Sequence, residues 1–422
     1  MDAIPDKPRT TDPPRAASGG GADHTVRALL LRHPAWSVAA ILLIGFNLRP
    51  SITTVALFID DIRHDLGLSA LGISLLTMAP VVCLGLFAPA APPLARRFGT
   101  EAVVLASLLG IAFGCVVRSL GTIPLYLGTL IIGASLCFLG VLTPVMVKRD
   151  FPDRIGLMMG LYTMLVCLGP AFATATAVPL QHVLGGSWEL VLLVWGLPAL
   201  IAAVAFIPQL FGHERVAGVA TAHVLGLVRD PLAWQVTGFF GLITALAYAV
   251  FNWGPSMLEA RGLDAATSGL IISLCYVGQT AAGLLAPIIA GRQRDQRLIV
   301  ATMVLLTAAG LLGFVYAPVW SLTAFSVILG VGQGGAFGVG LLFFALRSSD
   351  PHSAGQLSAL AQTVGYIFGG LIGPFAVGVI YDWTGSWQVV TIFYLAVGLA
   401  SLVLGIGAGR ARTVGAKPAL AS

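Results

Sequence analysis

The sequence predicts an all-α integral membrane protein, with twelve transmembrane helices in two parallel six-helix halves. Three observations carry this. Of the 422 residues, 57% are hydrophobic and only 10% are charged, with a mean hydropathy of +0.92, whereas soluble domains carry roughly 25% charged residues. Apolar runs recur from Trp36 to Gly409 with short polar gaps, many close to the ~20 residues that cross a hydrocarbon layer of roughly 30 Å. Short motifs also return half a chain later. GLSA at Gly67 becomes GLDA at Gly262, GSW at Gly186 becomes GSW at Gly385, and Asp150, Thr163 and Gly169 become Asp350, Thr363 and Gly369. The offsets are 195, 199 and 200 residues.

Residues 1–34 are rich in Pro, Gly and charge and cannot bury a core, so a disordered cytoplasmic tail is expected. The stretch does not read as a signal peptide. Spans are expected at 36–58, 70–91, 102–119, 124–147, 156–179 and 188–211, then at 234–255, 267–290, 298–317, 320–345, 355–380 and 387–408. All should be helices, because an open sheet edge cannot face lipid. The first half is then 35–211 and the second 232–409, with a cytoplasmic link at 212–231 and a cytoplasmic tail at 410–422. Six spans followed by six in the same orientation is the layout of the major facilitator superfamily, whose halves rock about a site near the bilayer midplane.

Placing the N-terminus in the cytoplasm puts nineteen of the 23 basic residues on the inside. That satisfies the positive-inside rule, and the expected location is a bacterial-type inner membrane with both termini cytoplasmic. The basic balance, with a pI near 9.1, thus reflects topology and anionic lipid rather than nucleic acid. The five cysteines all lie inside spans without metal spacing, so they read as packing residues, with no disulfide, metal or cofactor expected. A nucleotide-driven pump would need GxxxxGK[ST]. A membrane enzyme would need a nucleophile with its base, paired acids or metal ligands at depth. Neither is present in the sequence.

Span one contains LLIGFNLRPSITTVALF, from Leu42 to Phe58, with Arg49 near its middle. A central arginine costs about 2.5–3.5 kcal/mol on insertion scales and normally faces a wet cavity or a partner. Pro50 donates no backbone hydrogen bond and crowds the carbonyl of Phe46, so a kink is expected there. Arg49 either locks the helix packing or faces the central cavity and binds an anion or electron-rich group. A guanidinium fork suits both. Thr53 shares its face; Asn47 lies roughly opposite, and both reach one ligand only if the kink distorts the turn.

No Asp, Glu, His or Lys lies in mid-membrane, so Arg49 lacks an acidic partner in sequence. This favours a negatively charged or strongly dipolar small-molecule substrate. Any coupled proton would have to use Asp60, Asp61 or Glu189, or travel with the substrate. Neutral polar groups inside spans complete the candidate site: Tyr162, Tyr248, Asn252, Gln279, Gln333, Gln362 and Tyr366. Each could instead be interhelical glue. In PPLARRFGTE, from Pro92, the residues Leu94, Ala95, Arg97 and Gly99 match the superfamily's G-x-L-A-D-R-x-G-R-R signature, with Arg96 in place of its Asp. Arg96, Arg97 and Gly99 read either as a cytoplasmic gate or as inside charge plus a tight turn.

Six segments sharpen the resemblance: NLRP (Asn47–Pro50), APPLARRFG (Ala91–Gly99), KRDFPD (Lys148–Asp153), PLAWQVT (Pro231–Thr237), GQGGAF (Gly332–Phe337) and AQTVGY (Ala361–Tyr366). In that order they resemble the cyanate/nitroimidazole permease branch of the superfamily. The resemblance implies secondary transport of a small anionic or strongly polar compound by alternating access, in a monomer embedded in the bilayer. It implies roles for Arg49, Tyr248 and Gln362. One departure stands out: the branch often has Asn or Gln four residues before the proline ending span four, and this chain has Gly140 before Pro144. The main alternative is a drug-type efflux carrier for a neutral or anionic organic compound.

Overall fold

The computed structural model describes residues 34–68, 70–211 and 227–415. The expected N-terminal tail and inter-half link, and the end of the C-terminal tail, fall largely outside the described residues, as does the side chain of Asp60. Twelve helices are long and apolar enough to cross a membrane, and no strand occurs among the described residues. Helix α1 consists of Pro34–Asn47 and Pro50–Leu57, followed by a short helix Ile59–Leu66. Helix α2 is Ala70–Leu86, extended by Ala91–Phe98; α3 is Thr100–Arg118, α4 Thr122–Asp150 and α5 Ile155–Val183. Helix α6 is split into Trp188–Val194 and Gly196–Phe206. The second half has α7 (Pro231–Glu259), α8 (Ala265–Arg292), α9 (Arg297–Tyr316) and α10 (Leu322–Leu346). Helix α11 is Pro351–Gly370 and Ala376–Thr384 joined by a π turn, Leu371–Phe375, and α12 is Trp387–Ala408.

Local chemistry sets the ends and breaks. Helices α7 and α11 begin three and four residues before the expected spans because Asp-Pro supplies a cap and a preset first turn. Asp230 Oδ1 accepts from the Leu232 N–H at 2.8 Å, and Asp350 Oδ1 from the Ser353 N–H at 3.0 Å. Partial burial works against ionisation of Asp350, but hydrogen bonds from Ser353, Ser349 and the His352 N–H outweigh it and hold its carboxyl down to about 2. The α6 break falls at Trp195, where Pro198 has no N–H to return to Val194.

Neighbour relations repeat between the halves. Helices α1–α5, α1–α6, α2–α4, α3–α4 and α3–α6 adjoin, and so do α7–α11, α7–α12, α8–α10, α9–α10 and α9–α12. The largest apolar cluster crosses both halves, from Ile44 and Leu136 to Phe240 and Phe344. Large apolar side chains such as Phe113, Ile201, Leu298 and Leu399 stand on the outside, where lipid replaces water as solvent.

The halves meet mainly through α5–α8, α4–α11 and α2–α11, with α4 and α5 also touching α10. The α5–α8 contact begins near the face where α1 starts and α12 ends, and farther along the helices Gly140 meets Gln362 and Arg49 meets the Tyr248 and Phe337 rings. At the α5–α8 crossing a Cβ built on Gly291 would sit 2.7 Å from the Gly156 Cα. The two backbones therefore touch, as small residues allow between membrane helices. Toward the opposite face, no hydrogen bond joins the halves among the described residues. Gly156→Leu is expected to cost about 1–3 kcal/mol by overpacking this crossing, read as a lower thermal midpoint in detergent. An unchanged midpoint would mean the backbones do not touch there.

Candidate functional site

The site begins with the break in α1. Leu48 and Arg49 leave the helix, and Arg49 caps the second segment at φ −129°, ψ −27°. Its carbonyl accepts from the Ile52 and Thr53 N–H groups, both at 3.0 Å, and from Thr53 Oγ1 at 3.2 Å. The expected kink is thus a full interruption. The Phe46 carbonyl freed by Pro50 faces α5, where a Cβ on Gly169 would stand 2.5 Å from it. Glycine is the residue that lets this carbonyl and Pro50 seat against the neighbouring helix. From the other side, fully buried Arg118 donates from Nη1 to Ser51 O at 2.5 Å and from Nη2 to Leu192 O at 2.8 Å. It pins the second segment of α1 to α3 and α6. Its position at the end of α3, facing the broken α1 and α6, buries it.

Arg49 is half-buried between two cavity lobes of about 110 and 30 Å³, and it lines both. Its Cζ lies 5.6 Å from the Tyr248 ring centroid and 5.5 Å from that of Phe337. An arginine of one half is thus flanked by aromatic faces of the other, an arrangement worth about 0.5–2 kcal/mol per ring depending on desolvation. Its titratable neighbours are Tyr248, Tyr366, Cys167 and Tyr276; no carboxylate pairs with it among the described residues.

The larger lobe brings Arg49 together with Thr53, Tyr162, Tyr248, Gln362 and Tyr366. Tyr366 is held edge-on against Phe240, centroids 5.5 Å apart. The smaller lobe adds Gln279 and Gln333. Those two are also bonded to each other: Gln279 Nε2 donates to Gln333 Oε1 at 3.1 Å, and Gln333 Nε2 to Leu246 O at 3.2 Å. Two candidates fall outside both linings. Asn47 donates to Leu43 O at 2.8 Å and Pro198 O at 3.2 Å, which ties α1 to α6; the break leaves it on the far side, as its two-residue separation from Arg49 suggested. Asn252 is exposed and donates to Tyr248 O at 2.7 Å. Phe337 went unnamed as a site residue in the sequence, although GQGGAF contains it. An aromatic in an apolar span carries no mark of facing a cation.

At the face carrying the chain ends, Arg96 and Arg97 are exposed, and Arg97 lies over the Phe98 ring, 5.2 Å from its centroid. Gly99 turns the chain at φ 92°, a left-handed conformation that favours glycine. The nearby ion pair is Arg149 with Glu101 at 2.6 Å, within the first half. The link between halves is Lys148, whose Nζ donates to Ala345 O and Ser348 O, both at 2.6 Å. Asp61 and Glu189 lie at the opposite face, bonded to Gln181 at 2.9 Å and Ser187 at 2.7 Å.

Residues 35–374 match the family described as Major Facilitator Superfamily. The chain is 34% identical over 381 residues to a 2-nitroimidazole transporter of Escherichia coli (strain K12), covering 89% of this chain and 96% of that protein. It is 31% identical over 369 residues to the cyanate transport protein CynX of the same organism, covering 86% and 95%. Among solved structures, the proton:xylose symporter XylE bound to 6-bromo-6-deoxy-D-glucose shares the fold with a TM-score of 0.73 at 10% identity, over 90% of this chain and 97% of that one.

Removing the Lys148 tie should loosen the closed face. In Lys148→Met, spin labels at exposed positions 153 and 292 are expected to give a longer and broader distance distribution by double electron–electron resonance. A distribution identical to the parent's would show that the tie does not hold the face shut.

Proposed function

This chain belongs to the major facilitator superfamily, and we propose that its cargo is a small anionic or strongly polar compound, of the size of cyanate or a nitroimidazole, anchored on Arg49. The family and the relatives are transporters, not enzymes. The observation that carries the finer reading is a guanidinium at membrane depth on a cavity wall, between two aromatic rings, with no acidic partner among the described residues. A low dielectric makes such a charge seek a counter-group. A cargo with a negative or electron-rich end supplies it, and a planar guanidinium can hold that end with two parallel hydrogen bonds.

Size supports the same reading. Lobes of about 110 and 30 Å³ are well below the roughly 300–1,000 Å³ of a drug-sized pocket, which disfavours export of bulky compounds. Backbone contact at Gly156–Gly291 and the Lys148 tie at the same face of the molecule fit one end state of alternating access. In the orientation set by the basic residues, that face is cytoplasmic and the protein is a multi-pass inner-membrane monomer. Moving cargo inward then requires α5–α8, α2–α11 and the Lys148 tie to part while the opposite face closes.

The test is uptake of labelled cyanate and 2-nitroimidazole into proteoliposomes, with and without an imposed pH gradient, which reads proton coupling directly. Arg49→Ala should reduce uptake to the background of empty vesicles while keeping the parent's helical content and size-exclusion profile. Arg49→Lys, which keeps the charge but loses the fork, should fall by roughly tenfold, the equivalent of about 1.4 kcal/mol. Parent-like uptake by Arg49→Ala would sink the anchor role.

A further inference from the structure

Gly140 of α4 and Gln362 of α11 face each other in the lining of the larger lobe. A Cβ built at Gly140 would stand 3.0 Å from Gln362 Oε1. Gln362 is buried on α11, and its Nε2 donates to Ser358 Oγ at 2.9 Å, one turn back. That bond orients the amide: the NH₂ group turns to Ser358 and Oε1 turns toward Gly140. Both residues line the larger lobe with Arg49, and Oε1 has no donor among the described residues. Arg49 can only donate hydrogen bonds, whereas an amide oxygen can only accept them. One lining group of the cavity therefore donates and another accepts.

We propose that Gln362 Oε1 is a second recognition point, accepting a hydrogen bond from an N–H or O–H of the cargo, and that Gly140 keeps its seat open. This rests on the Arg49 reading above and narrows it. The cargo is a small planar compound with an electron-rich end for Arg49 and a hydrogen-bond donor for Gln362, as in an azole N–H or a hydrogenated oxyanion. An anion without hydrogen satisfies Arg49 but leaves a buried acceptor unpaired, which discriminates against it. A Cβ at position 140 would press on the oxygen, which would have to give by a few tenths of an ångström.

The probes are 4-methyl-2-nitroimidazole and 1-methyl-2-nitroimidazole, isomers of equal bulk of which only the first keeps the ring N–H. Uptake of each into proteoliposomes is measured for the parent, Gln362→Met, Ser358→Ala, Gly140→Ala and Arg49→Ala. The parent should prefer the N–H isomer by roughly tenfold or more. Gln362→Met, similar in size but without the amide, should bring the ratio close to one. Ser358→Ala leaves Gln362 in place and unties its amide, so it should lower the ratio even if Gln362→Met fails to fold. Gly140→Ala should lower the ratio as well. Equal uptake of the isomers by the parent, or a ratio that survives both Gln362→Met and Ser358→Ala, overturns the inference. If that ratio survives while Arg49→Ala abolishes uptake, only the Gln362 role falls. Parent-like uptake by Arg49→Ala removes the Arg49 reading itself; uptake of neither isomer by the parent overturns the Gln362 inference, and the Arg49 reading falls with it only if cyanate is not taken up either.

Discussion

A guanidinium held near mid-membrane without a carboxylate is the constraint around which this structure is arranged. Arg49 is tolerable because it has been given aromatic faces, Tyr248 and Phe337, and a cavity rather than hydrocarbon. Presenting it required breaking α1, and the break creates problems of its own. The Phe46 carbonyl loses its partner, and the second segment of α1 loses continuity with the first. Gly169 admits the freed carbonyl to the surface of α5. Arg118, buried and anchored on Ser51 O and Leu192 O, holds the loose segment against α3 and α6.

Arg118 belongs to a wider pattern in which basic side chains satisfy main-chain carbonyls. Arg261 donates to Phe314 O at 2.5 Å beside the end of α9. Arg347 donates to Ala408 O at 2.7 Å and Gly409 O at 3.1 Å at the end of α12. Lys148 does the same at the end of α10. Helix C-termini carry unpaired carbonyls and partial negative charge, so a cation there is stabilised twice over. By the 200-residue offset of Asp150 and Asp350, the counterpart of Lys148 is Ser348, whose neighbour is Arg347. Arg347 caps a helix of its own half, whereas Lys148 reaches across to the other half. Lys148 thus links the two halves, while Arg96 and Arg97 of the degenerate signature stay exposed.

The two walls of the larger lobe are supported differently. Arg49 sits at an interruption, with its orientation left to rings across the cavity. Gln362 sits inside an unbroken stretch of α11, with its amide tied by Ser358. The first half therefore contributes a charge at a break, and the second half contributes rings and a fixed amide. On the reading proposed above, a cargo touching both would couple the halves, since a ligand shifts an equilibrium only by its difference in affinity for the two states.

Much of this was legible from the chain alone. Twelve spans, their helical character, the twofold repeat and a kink at Pro50 follow from hydropathy, run length and proline chemistry, all local along the sequence; that the kink is a full break at Leu48 and Arg49 does not. Arg49 as the unpaired buried cation followed from an inventory of charges by depth. Tertiary structure decided who faces whom. It turned Asn47 toward Pro198 and left Asn252 out of the cavity lining, while bringing Phe337 to the guanidinium and Gln362 Oε1 to the space left by Gly140. Those outcomes depend on the relative rotation of helices whose contacting residues lie far apart in the chain, as Arg49 and Phe337 or Gly140 and Gln362 do. No periodicity within a single helix encodes that rotation when nearly every face is apolar.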